Sequence, residues 1–281
     1  MSHAPLALLT LPSPPTPEIF AAGPFSLRYY GLFIALGIAS ATWLAGRELS
    51  RKGYDSALAL DALFFVVPLG FIGARLYHVV TDYELYADDP FPGVLEVWNG
   101  GLGIYGAVIG GFVGILLFAY VRGINPLVLA DAAAPGVILA QAIGRWGNYF
   151  NQELFGRPSN LPWAIEIAPE NRPPGFSNVE AFHPTFLYES LWDLLVCLVL
   201  LFVARRFASS LKNGDIALLY VCLYSAGRFF VEALRIDPAF LIGGDLRGNL
   251  FVASVLALTF ALILFLRHAS TGRERKRPAD N

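Results

Sequence analysis

The sequence predicts an all-α integral membrane protein: a bundle of seven transmembrane helices, N-terminus outside and C-terminus cytoplasmic, with a small extracytoplasmic head. Three observations predict it. The 281 residues are 56% hydrophobic and only 15% charged, where soluble domains run near a quarter charged, and mean hydropathy is positive. Long apolar runs recur along the whole chain, several slightly short of the roughly 20 residues a span needs. The loops between them alternate in basic content. A formal net charge of -2 supplies no bulk positive field for nucleic acid, and no nucleic-acid partner is expected.

Taken in order, residues 1–28 open with "MSHAPLALLTLPSPPTPEIF". They lack the basic n-region and cleavage site of a signal peptide and read as a Pro-rich lead-in. The spans follow at 29–46, 60–80, 100–121, 127–144, 187–204, 215–234 and 248–266. On the third, Gly106, Gly110 and Gly114 recur every four residues, a small-residue face for close helix contact. Gly100, Gly101 and Gly103 just before it shape the backbone. The fourth is short and contains Pro135. The loop 145–186 holds the Pro-rich "EIAPENRPPGFSNVEAFHP" and supplies the head. The membrane domain is thus 29–266, and 267–281 is a basic cytoplasmic tail with affinity for anionic lipid.

Orientation comes from the loops. "RELSRKGYD", "VRGINP", "RRFASSLKNG" and the tail "RHASTGRERKRPADN" hold 12 of the 20 Lys and Arg. The N-terminus, 81–99, 145–186 and 235–247 hold six, and Arg75 and Arg228 remain inside spans. The positive-inside rule places the first set in the cytoplasm. No long internal repeat supports an inverted-repeat transporter. Cys197 and Cys222 sit inside apolar runs and read as buried free thiols.

Orientation assigns depth to each polar residue. Tyr29 and Tyr30 fall at the outer end of span 1, Arg75 and His78 near the outer end of span 2, and Tyr105 in the outer part of span 3. Span 4 delivers "QAIGRWGNYFNQELFG", with Arg145, Asn148, Asn151, Glu153 and Gly156. Span 5 opens with "HPTFLYESLWD", placing His183, Tyr188, Glu189 and Asp193 there. Arg228, Glu232 and Arg235, spaced i, i+4, i+7, share one face of span 6. An Arg or Asp in a span costs roughly 2.5–3.5 kcal/mol, so each must face the interior and find a partner. Their convergence predicts a polar cavity open to the outer leaflet. Three arginines there, Arg75, Arg145 and Arg228, suit an anion, because the guanidinium is a planar fork of donors matched to phosphate. A phospholipid headgroup is the expected ligand. No nucleotide motif, nucleophile elbow or HExxH is present, and nothing has the look of a metal cage. The residues alone leave a lipid transferase, a lipid transporter and a lipid-gated protein open.

"GRWGNYFNQELFGRP" resembles the signature of the prolipoprotein diacylglyceryl transferases. "RYYGLFIALG", "GARLYHV", "WNGGLGIYGAVIGG", "HPTFLYESLWD" and "GRFFVEALRID" resemble that family's other blocks, in its order, over residues 28 to 237. The resemblance implies a multi-pass enzyme of the bacterial cytoplasmic membrane. It would move a diacylglyceryl group from phosphatidylglycerol to the lipobox cysteine of a preprolipoprotein, forming a thioether and releasing glycerol phosphate, without a cofactor. By the same resemblance Arg145 and Arg228 match the family's two critical arginines, and Asn148, Glu153 and Gly156 the rest of its signature. Tyr30 matches the first-helix tyrosine, while Glu232 and Arg235 complete the sixth-helix block. Many members carry a histidine where this chain has Tyr105, and a tyrosine with a pKa of about 10 is a poor base at neutral pH.

These matches set the expectations for the site. Arg145, Arg228, Tyr105, Glu153 and Glu232 are expected to be catalytic. Tyr30, Arg75, Asn148, Asn151, Gly156, His183 and Arg235 are expected to bind substrate. Glu153, Glu232 and His183 are the candidates to take the thiol proton. A non-enzymatic phospholipid carrier and an inactive lipid-binding relative are the alternatives.

Overall fold

A computed structural model describes residues 10–22, 25–86, 93–97, 100–237, 241–242 and 246–274. The bundle is helical: α1 Tyr29–Arg51, α2 Ala57–Thr81, α3 Ile104–Arg122, α4 Pro126–Asn151, α5 Thr185–Arg206, α6 Asp215–Glu232 and α7 Gly248–Glu274. Six are long and apolar enough to cross a membrane, namely α1 to α5 and the Gly248–Ala269 part of α7. The exception, α6, has 18 residues and carries Asp215, Arg228 and Glu232. Lipid is the natural neighbour of the side chains these helices leave exposed, among them Phe64, Val108, Leu198 and Leu258.

The helices overlie the predicted spans; α7 runs past residue 266 to Glu274, into the predicted tail, and one further difference bears on the site. Span 4 was expected to stop at residue 144, but α4 continues to Asn151. "GRWGNYFN" is therefore helix rather than loop, because its polar side chains find partners and do not interrupt the backbone ladder.

Cα packing divides the chain into two compact units, Thr42–Ala133 and the combination of Met1–Ala41 with Ala134–Asn281. In the first unit α2 packs on α3 through glycine, as the small-residue stripe predicts. A Cβ on Gly106 would overlap the carbonyl oxygen of Gly73, and one on Gly110 that of Leu69. One on Gly114 would lie 2.8 Å from Phe65 O and Val66 Cα. Backbone cannot retreat as a side-chain tip can. Gly110→Ala is accordingly expected to lower stability by about 3 kcal/mol, the upper part of the overpacking range, read as a lowered melting temperature in detergent. An unchanged melting temperature would show that the two helices are not in backbone contact. Leu49, Leu58, Phe118 and Leu129 form the apolar core beside this pair.

In the second unit α6 packs on α5 and α7. Gly227 receives the Trp192 ring, whose indole N–H donates to Leu223 O at 3.0 Å. Outside the helices the described residues form three two-stranded antiparallel sheets, β1 Glu18–Ala22 with β2 Phe25–Arg28, β3 Ile165–Glu166 with β4 Ala181–Phe182, and β5 Leu241–Ile242 with β6 Leu246–Arg247. The β3–β4 pair centres a small head whose core is Phe155, Ile165, Ile167, Phe182 and Phe186. The lead-in is part of this head. Leu11 N–H donates to Ala164 O at 2.8 Å and its carbonyl accepts from Glu166 N–H at 2.9 Å, and the Tyr149 hydroxyl donates to Pro12 O at 2.9 Å. Cys197 and Cys222 are free thiols as expected; Cys197 is buried, and Cys222 only partly so.

Candidate active site

The last turns of α4 set the site. Gly147 has no side chain, and the Tyr30 ring lies where its Cβ would stand. Arg145 and Asn148, three residues apart, share one face of the helix. Beyond Asn151 the backbone turns sharply through two left-handed residues that are not glycine, Gln152 at φ 51° and Leu154 at φ 58°. Such conformations cost of order 1–3 kcal/mol each and persist only where surrounding contacts hold them. The contacts here are specific. Gln152 Oε1 accepts from Ala168 N–H at 2.8 Å, and Leu154 O accepts from the Thr185 hydroxyl. The result aims Glu153 back at its own helix, where Oε1 accepts from Asn148 Nδ2 at 2.8 Å and Asn151 Nδ2 at 3.2 Å.

Gly156 then crosses between α5 and α6. Its N–H donates to His183 O at 2.9 Å. A Cβ there would sit 2.9 Å from His183 Cβ and 3.0 Å from Leu234 O. Arg157 N–H donates to Leu234 O at 2.9 Å. These bonds tie the exit of α4 to the start of α5 and the end of α6.

Across that junction runs an arginine–carboxylate network. Glu189 on α5, 5% exposed, is its hub. One carboxylate oxygen pairs with Arg145, and the other accepts from Arg228 Nη1 at 3.2 Å with Arg235 Nη1 at 4.0 Å. Glu232 is fully buried. It pairs with Arg228 Nη2 at 2.5 Å and Arg247 Nη2 at 2.7 Å, and accepts from Asn249 Nδ2 at 3.3 Å. Asp237 pairs with Arg235 Nε at 2.6 Å and lies 3.7 Å from Arg247. Exposure separates the partners: Arg145 and Arg228 side chains are 18% and 19% exposed, their carboxylates 6% and 0%. The guanidinium groups, not the acids, face whatever enters. Bidentate guanidinium donors fixed in this way suit a phosphate.

His183 stands beside the network in a separate chain, its Nδ1 3.1 Å from the Tyr188 hydroxyl, which in turn accepts from Trp163 Nε1 at 3.0 Å. Burial, and after it the Arg157 guanidinium, holds the His183 imidazole below the ordinary histidine value. It is therefore neutral at pH 7 and charges only on acidification below that value.

Arg75 and Tyr105 belong to the other unit. The Arg75 guanidinium is buried and donates to the carbonyls of Gly93 at 2.7 Å, Val94 at 2.8 Å, Gly100 at 2.7 Å and Gly101 at 2.9 Å. Its Cζ lies 5.3 Å from the centroid of the Tyr86 ring. Its contacts are with main chain, where the sequence reading gave it an anion. Tyr105 is 55% exposed, with its ring centroid 5.7 Å from that of Tyr77.

Of the residues singled out in the sequence, Arg145, Arg228, Glu232 and Arg235 meet in one network, and Asn148, Asn151 and Glu153 in another. The hub was missed. Glu189 was placed at the correct end of its helix but given no role. The signal for it was a count: Arg145, Arg228 and Arg235 outnumber Glu232, and burying that excess demands another carboxylate. Arg247 was counted as a loop charge.

Comparison with known proteins adds a second line. The sequence model described as "Prolipoprotein diacylglyceryl transferase" matches residues 17–267. The chain is 45% identical over 264 residues to the phosphatidylglycerol–prolipoprotein diacylglyceryl transferase of Frankia alni (strain DSM 45986 / CECT 9034 / ACN14a), covering 93% of this chain and 68% of that one. It is 44% identical over 279 residues to the protein of that name from Paenarthrobacter aurescens (strain TC1), covering 92% and 86%. To the second such transferase of Streptomyces coelicolor (strain ATCC BAA-471 / A3(2) / M145) it is 43% identical over 269 residues, covering 95% and 84%.

Proposed function

This chain belongs to the prolipoprotein diacylglyceryl transferase family, and we propose on that footing that it transfers the diacylglyceryl group of phosphatidylglycerol to the thiol of the lipobox cysteine of preprolipoproteins. The products are a thioether-linked precursor and glycerol phosphate, the first step of lipoprotein maturation. The observation that carries the reading is the pair Arg145 and Arg228, clamped from behind by Glu189 and Glu232 with their guanidinium groups still accessible.

The reaction is displacement at carbon. Sulfur attacks the glycerol carbon that carries the phosphate ester, and the C–O bond breaks. A phosphodiester with one negative charge becomes a monoester with two. Arg145 and Arg228 grip the phosphate and stabilise the second charge as it develops, electrostatic stabilisation by donors fixed before the reaction begins. Asn148, held by Glu153 and through it by Asn151, orients the headgroup. Tyr30 offers a hydroxyl beside Arg145, Arg235 anchors the far side of the Glu189 hub, and His183 and Gly156 shape the rim. Arg75 holds the carbonyls of Gly93, Val94, Gly100 and Gly101, and Tyr105 positions substrate by a hydrogen bond. Written this way the chemistry needs no metal or cofactor.

All seven helices, α6 included, span the bacterial cytoplasmic membrane, with the N-terminus and head outside and the basic tail inside. The charges of α6 are tolerable in a span because Arg228 and Glu232 neutralise one another. The pocket then opens sideways to the outer leaflet, where donor lipid and the emerging peptide meet.

Proteoliposomes containing labelled phosphatidylglycerol and a lipobox peptide test this directly. The expected result is a diacylglyceryl peptide with stoichiometric glycerol phosphate. Label that crosses the bilayer while the peptide stays unmodified would identify a carrier, and binding with neither outcome an inactive relative. In the same assay Tyr105→Phe is expected to slow transfer about tenfold, the effect of one hydrogen bond of about 1–1.5 kcal/mol. Full rate would show the hydroxyl to be dispensable.

A further inference from the structure

Asp193 lies one helical turn beyond Glu189 on the same face of α5 and is 2% exposed. Its Oδ2 is buried and meets no hydrogen-bond donor among the described residues. The other carboxylates of the site are engaged: Glu189 by Arg145 and Arg228, Glu232 by Arg228 and Arg247, Asp237 by Arg235, Glu153 by Asn148 and Asn151. A buried carboxylate oxygen without a donor is costly to keep. What surrounds Asp193 is charge rather than hydrogen bonds. Arg145 on α4 and Arg228 on α6 attract it, and Glu189 on its own helix repels it. Tyr220 and Tyr224 on α6 also interact with it electrostatically, while the Tyr220 hydroxyl itself donates to Gln141 at 3.1 Å.

We propose that Asp193 is the residue that takes the proton from the acceptor cysteine. The proposal rests on the transferase reading above and supplies the base that Tyr105 cannot provide. It also separates roles among the acids: Glu153, Glu189 and Glu232 hold amides and guanidinium groups, leaving Asp193 Oδ2 as the acceptor within the same cluster.

The step balances. The S–H proton moves to Asp193 Oδ2. The sulfur electron pair forms the new C–S bond, and the C–O pair departs with the phosphate. Asp193 goes from -1 to neutral as the phosphate goes from -1 to -2, so the net charge beside Arg145 and Arg228 does not change. A buried site of low dielectric favours such a path, because no uncompensated charge appears in it. The monoester, whose second ionisation lies near pH 6, then carries the proton away with it.

A selenocysteine peptide tests the assignment, because a selenol is ionised at neutral pH without help. With the cysteine peptide, Asp193→Asn is expected to be about a hundredfold slower than wild type, in the range of general-base catalysis. Its rate should no longer fall on the acid side of the pH profile through this carboxyl group. With the selenocysteine peptide the same variant should come within a few-fold of wild type. Asp193→Glu, which keeps a carboxylate, should retain at least a tenth of wild-type activity on cysteine. The assignment is overturned if Asp193→Asn keeps more than half the wild-type rate on cysteine, or if it is equally slow on both peptides. A Glu variant as inactive as the Asn variant on both peptides overturns it too. Wild-type protein that modifies neither peptide would instead remove the transferase reading itself, and the assignment with it.

Discussion

Arg145→Ala and Arg228→Ala are each expected to insert into the membrane and to lose about a thousandfold in diacylglyceryl transfer. Removing one donor from an oxyanion-stabilising site costs on the order of 10²–10³ in rate, and each arginine presents a fork rather than a single donor. Most of the loss should fall on kcat, because the charge these groups stabilise is greater in the transition state than in bound lipid. Arg→Lys at either position keeps the charge and loses the fork, and should fall between wild type and alanine. The two positions differ in stability. Among the described residues Arg145 forms an ion pair with Glu189, whereas Arg228 bridges Glu189 and Glu232. Arg228→Ala therefore strips a countercharge from two buried acids and should lower the melting temperature more. Rates are compared at equal amounts of folded protein, judged by size exclusion in detergent. Turnover near wild type in either alanine variant would remove that residue from the mechanism.

How far the sequence showed all this depends on the range of the physics involved. Local signals carried well. The apolar runs marked the seven helices, and the four-residue glycine repeat marked a close-contact face on α3 without naming its partner, because both are written in neighbouring residues. Polar interruptions misled. The apolar window ended at residue 144, yet α4 continues to Asn151, since Asn148 and Asn151 bond to Glu153 within one turn of chain. The same physics takes α6 outside a purely apolar description of a span: two of its three charges, Arg228 and Glu232, are site residues. Long-range pairing was invisible. Glu189 meets Arg145 and Arg228 at separations of 44 and 39 residues, and no periodicity encodes that. The lead-in looked separate because nothing local shows Leu11 bonding to residues 164 and 166. Arg75 shows a different limit. Its depth and type suggested an anion site, and its contacts are with main-chain carbonyls, which satisfy a guanidinium as well as phosphate does.

The hub should be the most damaging carboxylate to neutralise. Glu189→Gln keeps the shape of the side chain and removes its charge. Arg228 would retain Glu232, and Arg235 would retain Asp237. Arg145 would lose the carboxylate it pairs with and keep only the weaker pull of Asp193. Breaking one member of a buried ion pair costs roughly 3–5 kcal/mol, so the variant should melt markedly lower than wild type. Transfer should fall about a hundredfold, because Arg145 is no longer held where the phosphate must bind and displacements of an ångström carry penalties of that size. A double-mutant cycle separates this account from simple loss of packing. If the harm comes from stranding Arg145, then Glu189→Gln combined with Arg145→Gln should cost less stability than the two changes added together, by 1 kcal/mol or more. Added salt should not rescue the single variant, since screening acts weakly on buried charge. Strict additivity in the cycle, or recovery of the single variant at high salt, would mean that Glu189 does not restrain Arg145. The grip on the phosphate would then have to originate elsewhere in the network, with Glu232 and its two arginines the next place to test.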